Sequence, residues 1–501
     1  MSTLFTNARI VTMDDSHPRA AELLVDAGRI AQVLDAHPTG LPRDTEVVDL
    51  GGASVVPGFH DCHMHLVDTG MLTGDHDLAD CRTVESMLHR VTQLHDPLLY
   101  AGNYEEHKIA EKRAPTLQEL DAVSPDRPVL LTRIDGHSCI VNSAALDLLD
   151  VARHAGVERD PAGTPTGKLF AQANYVAQQG IFRRLDDATL RRAQERAARL
   201  ALAAGITTLH DVIVGDASLE QLEATVRSNA ALPVHVISKP CTTDVGKVKR
   251  LGMRLFGGDI FVDGSIGSRT AALSKAYRDR PGETGRLYLT REQLCELFDE
   301  ASEAGRSLGV HAIGDRAIDE AISAWERVIA KRGPRADVRP AIDHFEVSTA
   351  EHVERAARCG LYLSMQPAFD YLWGGVHGMY EERLGSERSH SMNKLKSALG
   401  AGCTICGGSD SPVTKLDALL GMHAAVNHHN PKERLTIQEA LRAYTSEAAK
   451  LAFEEDTRGK LAVGMAADFV VLENALDEVS PLEIKDVRVC ATIVAGEIKF
   501  P

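Results

Sequence analysis

A chain of 501 residues, 44% hydrophobic and 25% charged, has the make-up of a folded protein with room for two to four domains. Fifty-five Lys and Arg against 71 Asp and Glu give a net charge of −16, which repels phosphate backbones and argues against a nucleic-acid partner. No run approaches the ~18 apolar residues of a membrane span, and the start MSTLFTNARIVTMDD is no signal peptide, so a cytoplasmic protein without a membrane partner is expected.

The first fifty residues alternate like short strands in LFTNARIVTM, ELLVDAGRIAQVL and EVVDLGG. From residue 53 onward, short β-branched runs alternate with amphipathic helical stretches, the mark of repeated βα units and a parallel sheet. Strands are predicted at 53–59, 206–212, 233–239, 254–263, 307–312, 340–346, 361–366 and 404–410, with helices such as 190–205 and 291–305 between them. Eight such units suggest an α/β fold of the (β/α)8, TIM-barrel type. That barrel takes about 250 residues. Residues 57–455 exceed it, and the surplus at about 70–190 is expected to form an inserted cap.

Barrel active sites lie at the C-terminal ends of the strands. His63 and His65 follow the first strand in PGFHDCHMHL, two apart and therefore on one side of an extended chain. His311 ends the fifth strand, His344 the sixth and Asp410 the eighth. Any one of these reads more simply as a hydrogen-bonded core residue. Five at strand ends read as a metal site, and imidazole with carboxylate suits Zn²⁺ or a neighbouring divalent ion.

Other polar residues carry two readings. His137 and Asn142, in DGHSCIVNS, either close over a substrate or cap the turn before SAALDLL. His210 and Asp211 either orient ligands or are rim polars. The segment DGSIGSRTA lacks the Lys-Ser/Thr pair of a phosphate loop, and Arg269 in it fits a salt bridge better than an anion site. Nine scattered cysteines form no disulfide framework, and Cys403 and Cys406 read as structural thiols in a buried strand. His423, His428 and His429 are expected to be solvated.

PGFHDCHMHL, VHAIGDRA, IDHFE and GGSDSPV resemble the amidohydrolase superfamily of metal-dependent hydrolases. RIDGHSCIVNSAAL, PTGKLF, GITTLHD, FVDGSIGSRTAAL and SMQPAFD narrow the resemblance to its YtcJ-like, amidohydrolase 3 branch, over almost the whole chain. The resemblance implies a small β-sandwich built from 1–56 and 456–501 beside a barrel at 57–455. The chain also departs from the pattern. Where relatives commonly read Lys-Ile-Phe-x-Asp-Gly, this chain reads DIFVDG, with Asp259 at the lysine position. In related two-metal enzymes that lysine is carbamylated and bridges the ions. Asp259 is shorter and reaches such a position only if its strand shifts inward, so it binds a metal directly, acts through a water, or leaves a single ion. One Zn²⁺ is favoured over two, with His63, His65, His311 and Asp410 as ligands and His344 beside the water.

The expected reaction is hydrolysis of a C–N bond in a small molecule of amide, formamide, carbamate or lactam type by metal-activated water. Asp410 would take the water's proton and pass it to the leaving nitrogen. His344 or His137 would stabilise the developing oxyanion. Two alternatives stay open: a deaminase of aminoheterocycles using the same site, and a non-catalytic regulatory protein retaining the fold. The oligomeric state, homo-oligomer or monomer, is not legible.

Overall fold

Residues 2–38, 41, 44–215 and 217–501 are described by a computed structural model. Alternation of apolar and polar residues at both chain ends builds two sheets. Thr3–Thr6, Glu22–Asp26, Arg29–Leu34 and Glu46–Asp49 form a four-stranded sheet. A six-stranded sheet joins Arg9–Val11, Arg19–Ala20 and Ser54–Pro57 to Phe469–Leu472, Val489–Val494 and Glu497–Phe500 from the other end. One apolar core, with Phe5, Ile10, Val55, Phe469 and Ile493, is shared by residues of both. Phe5 meets Phe469 edge to face, with ring centroids 4.9 Å apart.

Between the ends run eight strands, β1 (Phe59–Met64), β2 (Ile206–Ile213), β3 (His235–Pro240), β4 (Leu255–Phe261), β5 (Ser307–Ala312), β6 (Ala341–His344), β7 (Tyr362–Met365) and β8 (Thr404–Gly407). All pair in parallel, in the orders β3-β2-β1 and β4-β5-β6-β7-β8. Helices separate them because each has one apolar stripe to bury: Asp315–Arg332 buries Ile318, Ile322, Trp325 and Val328 at helical spacing. The two sheets abut where β3 meets β4 and where β8 meets β1. At the second seam Asp410 N–H donates to the His63 carbonyl at 2.7 Å, and His65 N–H to the Ser411 carbonyl at 2.8 Å. Among the described residues no strand ladder closes either seam.

Between β1 and β2 lies a further five-stranded sheet, in the order Val157–Arg159, Pro165–Phe170, Ser138–Val141, Val129–Arg133, Leu99–Tyr104. Neighbouring residues of one strand feed different cores, Leu130 with Val141 and Leu169, Leu131 with Leu99 and Ile140. That is the two-residue period of a strand with both faces covered.

Two expectations need correction. The strand predicted at 53–59 is two strands: Ser54–Pro57 belongs to the six-stranded terminal sheet, and β1 starts at Phe59. The chain crosses at Gly58, where a Cβ would lie 2.2 Å from Thr207 Oγ1. His63 is therefore inside a strand rather than beyond it. His423 and His428 are buried, each 2% exposed, not solvated. Helix Ala418–Val426 is covered on almost every face, so His423 packs on the Tyr371 ring at 5.0 Å. His428 Nε2 faces Asp370 at 3.6 Å. Cys403 and Cys406 are buried free thiols, as expected.

Candidate metal centre

The strand ends bring two imidazoles and two carboxylates together. His63 Nε2 lies 3.4 Å from Asp259 Oδ1 and 3.4 Å from Asp410 Oδ1. His65 Nε2 lies 3.3 Å from Asp259 Oδ2 and 3.1 Å from Asp410 Oδ1. Donors around a tetrahedral ion with bonds of about 2.0–2.1 Å stand about 3.3 Å apart, so the spacing is that of a coordination shell. His63 Nε2 and Asp259 Oδ1 are also buried without a hydrogen-bond partner among the described residues, and a cation between them would satisfy both. The residues fit a divalent ion.

His344 belongs to a second, overlapping donor group with His63 and Asp410, and its Nε2 is 3.8 Å from Asp259 Oδ1. His311 is beside the cluster, not in either group. Its ring centroid is 4.5 Å from that of His344, and its Nδ1 faces Asp263 Oδ1 at 3.5 Å.

Each close imidazole is aimed by an acceptor behind it. His63 Nδ1 donates to Asp343 Oδ1 at 2.7 Å, His65 Nδ1 to the Val212 carbonyl at 3.0 Å, and His344 Nδ1 to Gln366 Oε1 at 2.8 Å. An acceptor at Nδ1 fixes the proton there and leaves the Nε2 lone pair facing the cluster. Asp343 and Gln366 escaped the sequence reading. Their signal was weak: Asp343 precedes His344 in IDHFE, and Gln366 sits in SMQPAFD.

Asp259 reaches the cluster because β4 is irregular just before it. Gly257 and Gly258 have φ of +82° and +103°, and the ladder to β5 slips between Gly257 and Phe261. A Cβ at residue 257 would sit 2.2 Å from the Gly309 carbonyl oxygen. Only glycine takes that backbone without strain, and the kink supplies the inward shift that a short carboxylate requires. His344 and Asp410, with φ of +75° and +56°, are also left-handed, a strained state for residues with side chains that concentrates at functional sites.

The electrostatics favour positive charge in the cluster. Burial opposes charge on His63, but the Asp259 and Asp343 carboxylates outweigh it and hold the imidazole well above its usual range. Burial likewise opposes charge on His65, which the Asp410 hydrogen bond lifts to about 9. Despite burial, Asp259 and Asp410 are held low by His63 and its neighbours. A proton or a metal ion meets that demand equally well, because both bind at the imidazole lone pair.

A cavity of about 870 Å³ opens over the cluster. The strands contribute His65, Asp259, His311, His344 and Asp410 to its wall, and the five-stranded sheet and its turns contribute Arg133, Asp135 and His137. The His137 ring lies tilted against that of His311, centroids 5.3 Å apart, and burial with that neighbour lowers it to about 4, so it is neutral at pH 7. Glu346, also in the wall, is pushed up to about 7 by burial.

The remaining candidates take the simpler reading. Asn142 caps helix Ser143–Leu149 through Ala145 N–H. Arg269 pairs with Asp279. Asp211 accepts from Leu66 N–H and Asn229 and anchors the chain after His65, while neither ring nitrogen of His210 has a partner among the described residues.

A family model described as the amidohydrolase family matches residues 46–500. The chain is similar to the amidohydrolase YtcJ of Bacillus subtilis, 30% identical with 91% of each chain covered. It is also similar to an N-substituted formamide deformylase of Arthrobacter pascens, 28% identical over 99% of this chain and 98% of that one. The crystal structure of a metal-dependent hydrolase from Pyrococcus horikoshii aligns with a TM-score of 0.77 and 25% identity, covering 97% of this chain and 99% of that one.

Proposed function

Because this chain belongs to the amidohydrolase family, we propose that it hydrolyses a C–N bond in a small molecule of amide, formamide, carbamate or lactam type. The observation that carries the reading is the set of four donors, His63, His65, Asp259 and Asp410, with imidazole-to-carboxylate distances of 3.1–3.4 Å, three of which, His65, Asp259 and Asp410, line one cavity. Similarity to a formamide deformylase makes formamides the first substrates to try. Those four residues would hold one ion, Zn²⁺ by donor type, with His344 and His311 beside it. In architecture, the two abutting parallel sheets make a (β/α)8 barrel at 57–455. The terminal sheets make a β-sandwich from 1–56 and 456–501, and the sheet within about 70–190 makes a cap.

When bound there, a divalent ion supplies Lewis acidity and lowers the pKa of water. The chain's own residues do the rest. Asp410, kept ionised by the His63 and His65 imidazoles beside it, accepts a proton from water at a carboxylate oxygen and returns it to the leaving nitrogen. Neutral His137 donates an N–H to the carbonyl oxygen as negative charge develops on it. Phe261, Phe369 and Trp373 form an apolar wall that excludes bulk water and strengthens both interactions. The test is elemental analysis of the purified protein combined with a panel of N-substituted formamides, amides, carbamates, lactams and aminoheterocycles. Amine release from formamides that stops on chelation is the expected result. Ammonia release from aminoheterocycles alone would replace this reading with deamination.

A further inference from the structure

Beside the metal cavity lies a second one of about 1200 Å³, between the strand pair Val157–Arg159 and Pro165–Phe170 and the segment 267–286. Its charge is opposite to that of the chain. Seven Lys and Arg against four Glu line it, in a protein of net charge −16, whereas five acids against two arginines line the metal cavity. Arg133, Gly267 and Arg286 belong to both walls. Arg133 is the partition: its guanidinium pairs with Glu106 on the outer side at 2.8 Å and Asp135 on the inner side at 2.7 Å. Lys168, Arg280 and Arg286 have no carboxylate partner among the described residues. The buried Nε–H of Arg383 in the same wall has no hydrogen-bond partner either.

Among the described residues, Lys168 and Arg286 face only the Phe170 and Tyr288 rings, at 5.1 and 5.8 Å. Cations without a carboxylate partner in one basin of an acidic protein raise the local concentration of anions and select for them. We infer that this basin holds a carboxylate at the far end of the substrate, with Arg286 and Lys168 as its principal contacts, while the scissile C–N bond reaches the metal cavity. Phosphate is disfavoured by the backbone. A phosphate cradle needs a run of free N–H groups, and six of the eight in segment 264–271 are spent within it, those of Gly264 and Ser265 on Thr270. Ser268 N–H donates to Ser265 Oγ, Thr270 and Ala271 N–H donate to the Ser265 carbonyl, and Arg269 N–H donates to that of Ile266.

This inference rests on the C–N hydrolysis reading for its substrate class, so its test keeps the two apart. Calorimetry on the metal-loaded protein compares 6-aminohexanoate with hexylamine, a pair that cannot be hydrolysed. The carboxylate is expected to improve affinity about tenfold at low salt, less at high salt, and the ratio to fall to about one in the Arg286→Gln, Lys168→Gln double variant. Equal affinity for the pair, binding of neither, or a preference that survives the double substitution would overturn the inference. So would displacement of 6-aminohexanoate by inorganic phosphate at lower concentration than by acetate. Turnover of N-formyl-6-aminohexanoate and N-hexylformamide is scored separately: a carboxylate preference in binding with hydrolysis of neither keeps the basin and removes the formamide reading.

Discussion

Asp410 is close enough to His65 and His63 to act on both a metal and a proton, and the two roles separate on substitution. Asparagine keeps the shape and one donor oxygen but cannot accept a proton. Asp410→Asn should therefore keep the fold and part of the metal while losing about 10²–10⁴-fold in kcat; a variant within threefold of wild type would place the base elsewhere. His60 offers a residue-scale test of burial. Burial, with His235 and Arg458 nearby, lowers it to about 3, against about 6.5 when unfolded. Between those values the unfolded chain binds a proton that the folded one refuses, so His60 costs stability as pH falls through that window. Urea unfolding at pH 7 and pH 5 should show wild type losing about 2 kcal/mol more than His60→Gln. Equal losses would mean that His60 can be protonated in the fold.

At the scale of elements, β4 decides what Asp259 can do. Gly257→Ala drives a Cβ towards the Gly309 carbonyl and forces an unfavourable φ. It should cost about 1–3 kcal/mol and reduce metal retention, because straightening the kink withdraws Asp259. Loss of stability with full metal retention would uncouple the kink from the site. The eight parallel strands and the donors His63, His65, His344 and Asp410 were legible in the sequence, since βα periodicity and strand-end polar residues are local signals. The kink was not. GG before Asp259 marks a bulge only in general, and its direction depends on β5. Likewise Asp343 and Gln366 act through side chains on other strands, a relation that spacing along one strand does not encode. The break at Gly58 was misread for a similar reason: strand propensity runs through it, and tertiary pairing decides which sheet each half joins.

For the molecule as a whole, the cluster joins parts that are remote in sequence. β1 belongs to one parallel sheet and β4, β6 and β8 to the other, and the cluster lies across the seams between them. An ion held there ties both sheets, and one that binds only the folded chain stabilises it by about 4 kcal/mol at a free concentration a thousand times its Kd. Removing metal by chelation should lower Tm, and restoring Zn²⁺ should recover it; an unchanged Tm would mean that the cluster is occupied by protons alone. The most direct test is elemental analysis of wild-type and Asp259→Ala protein purified without added metal. The expected result is close to one equivalent of a divalent ion in wild type and a large loss in the variant. Two equivalents in wild type, or one that persists undiminished without Asp259, would contradict a single ion held by His63, His65, Asp259 and Asp410.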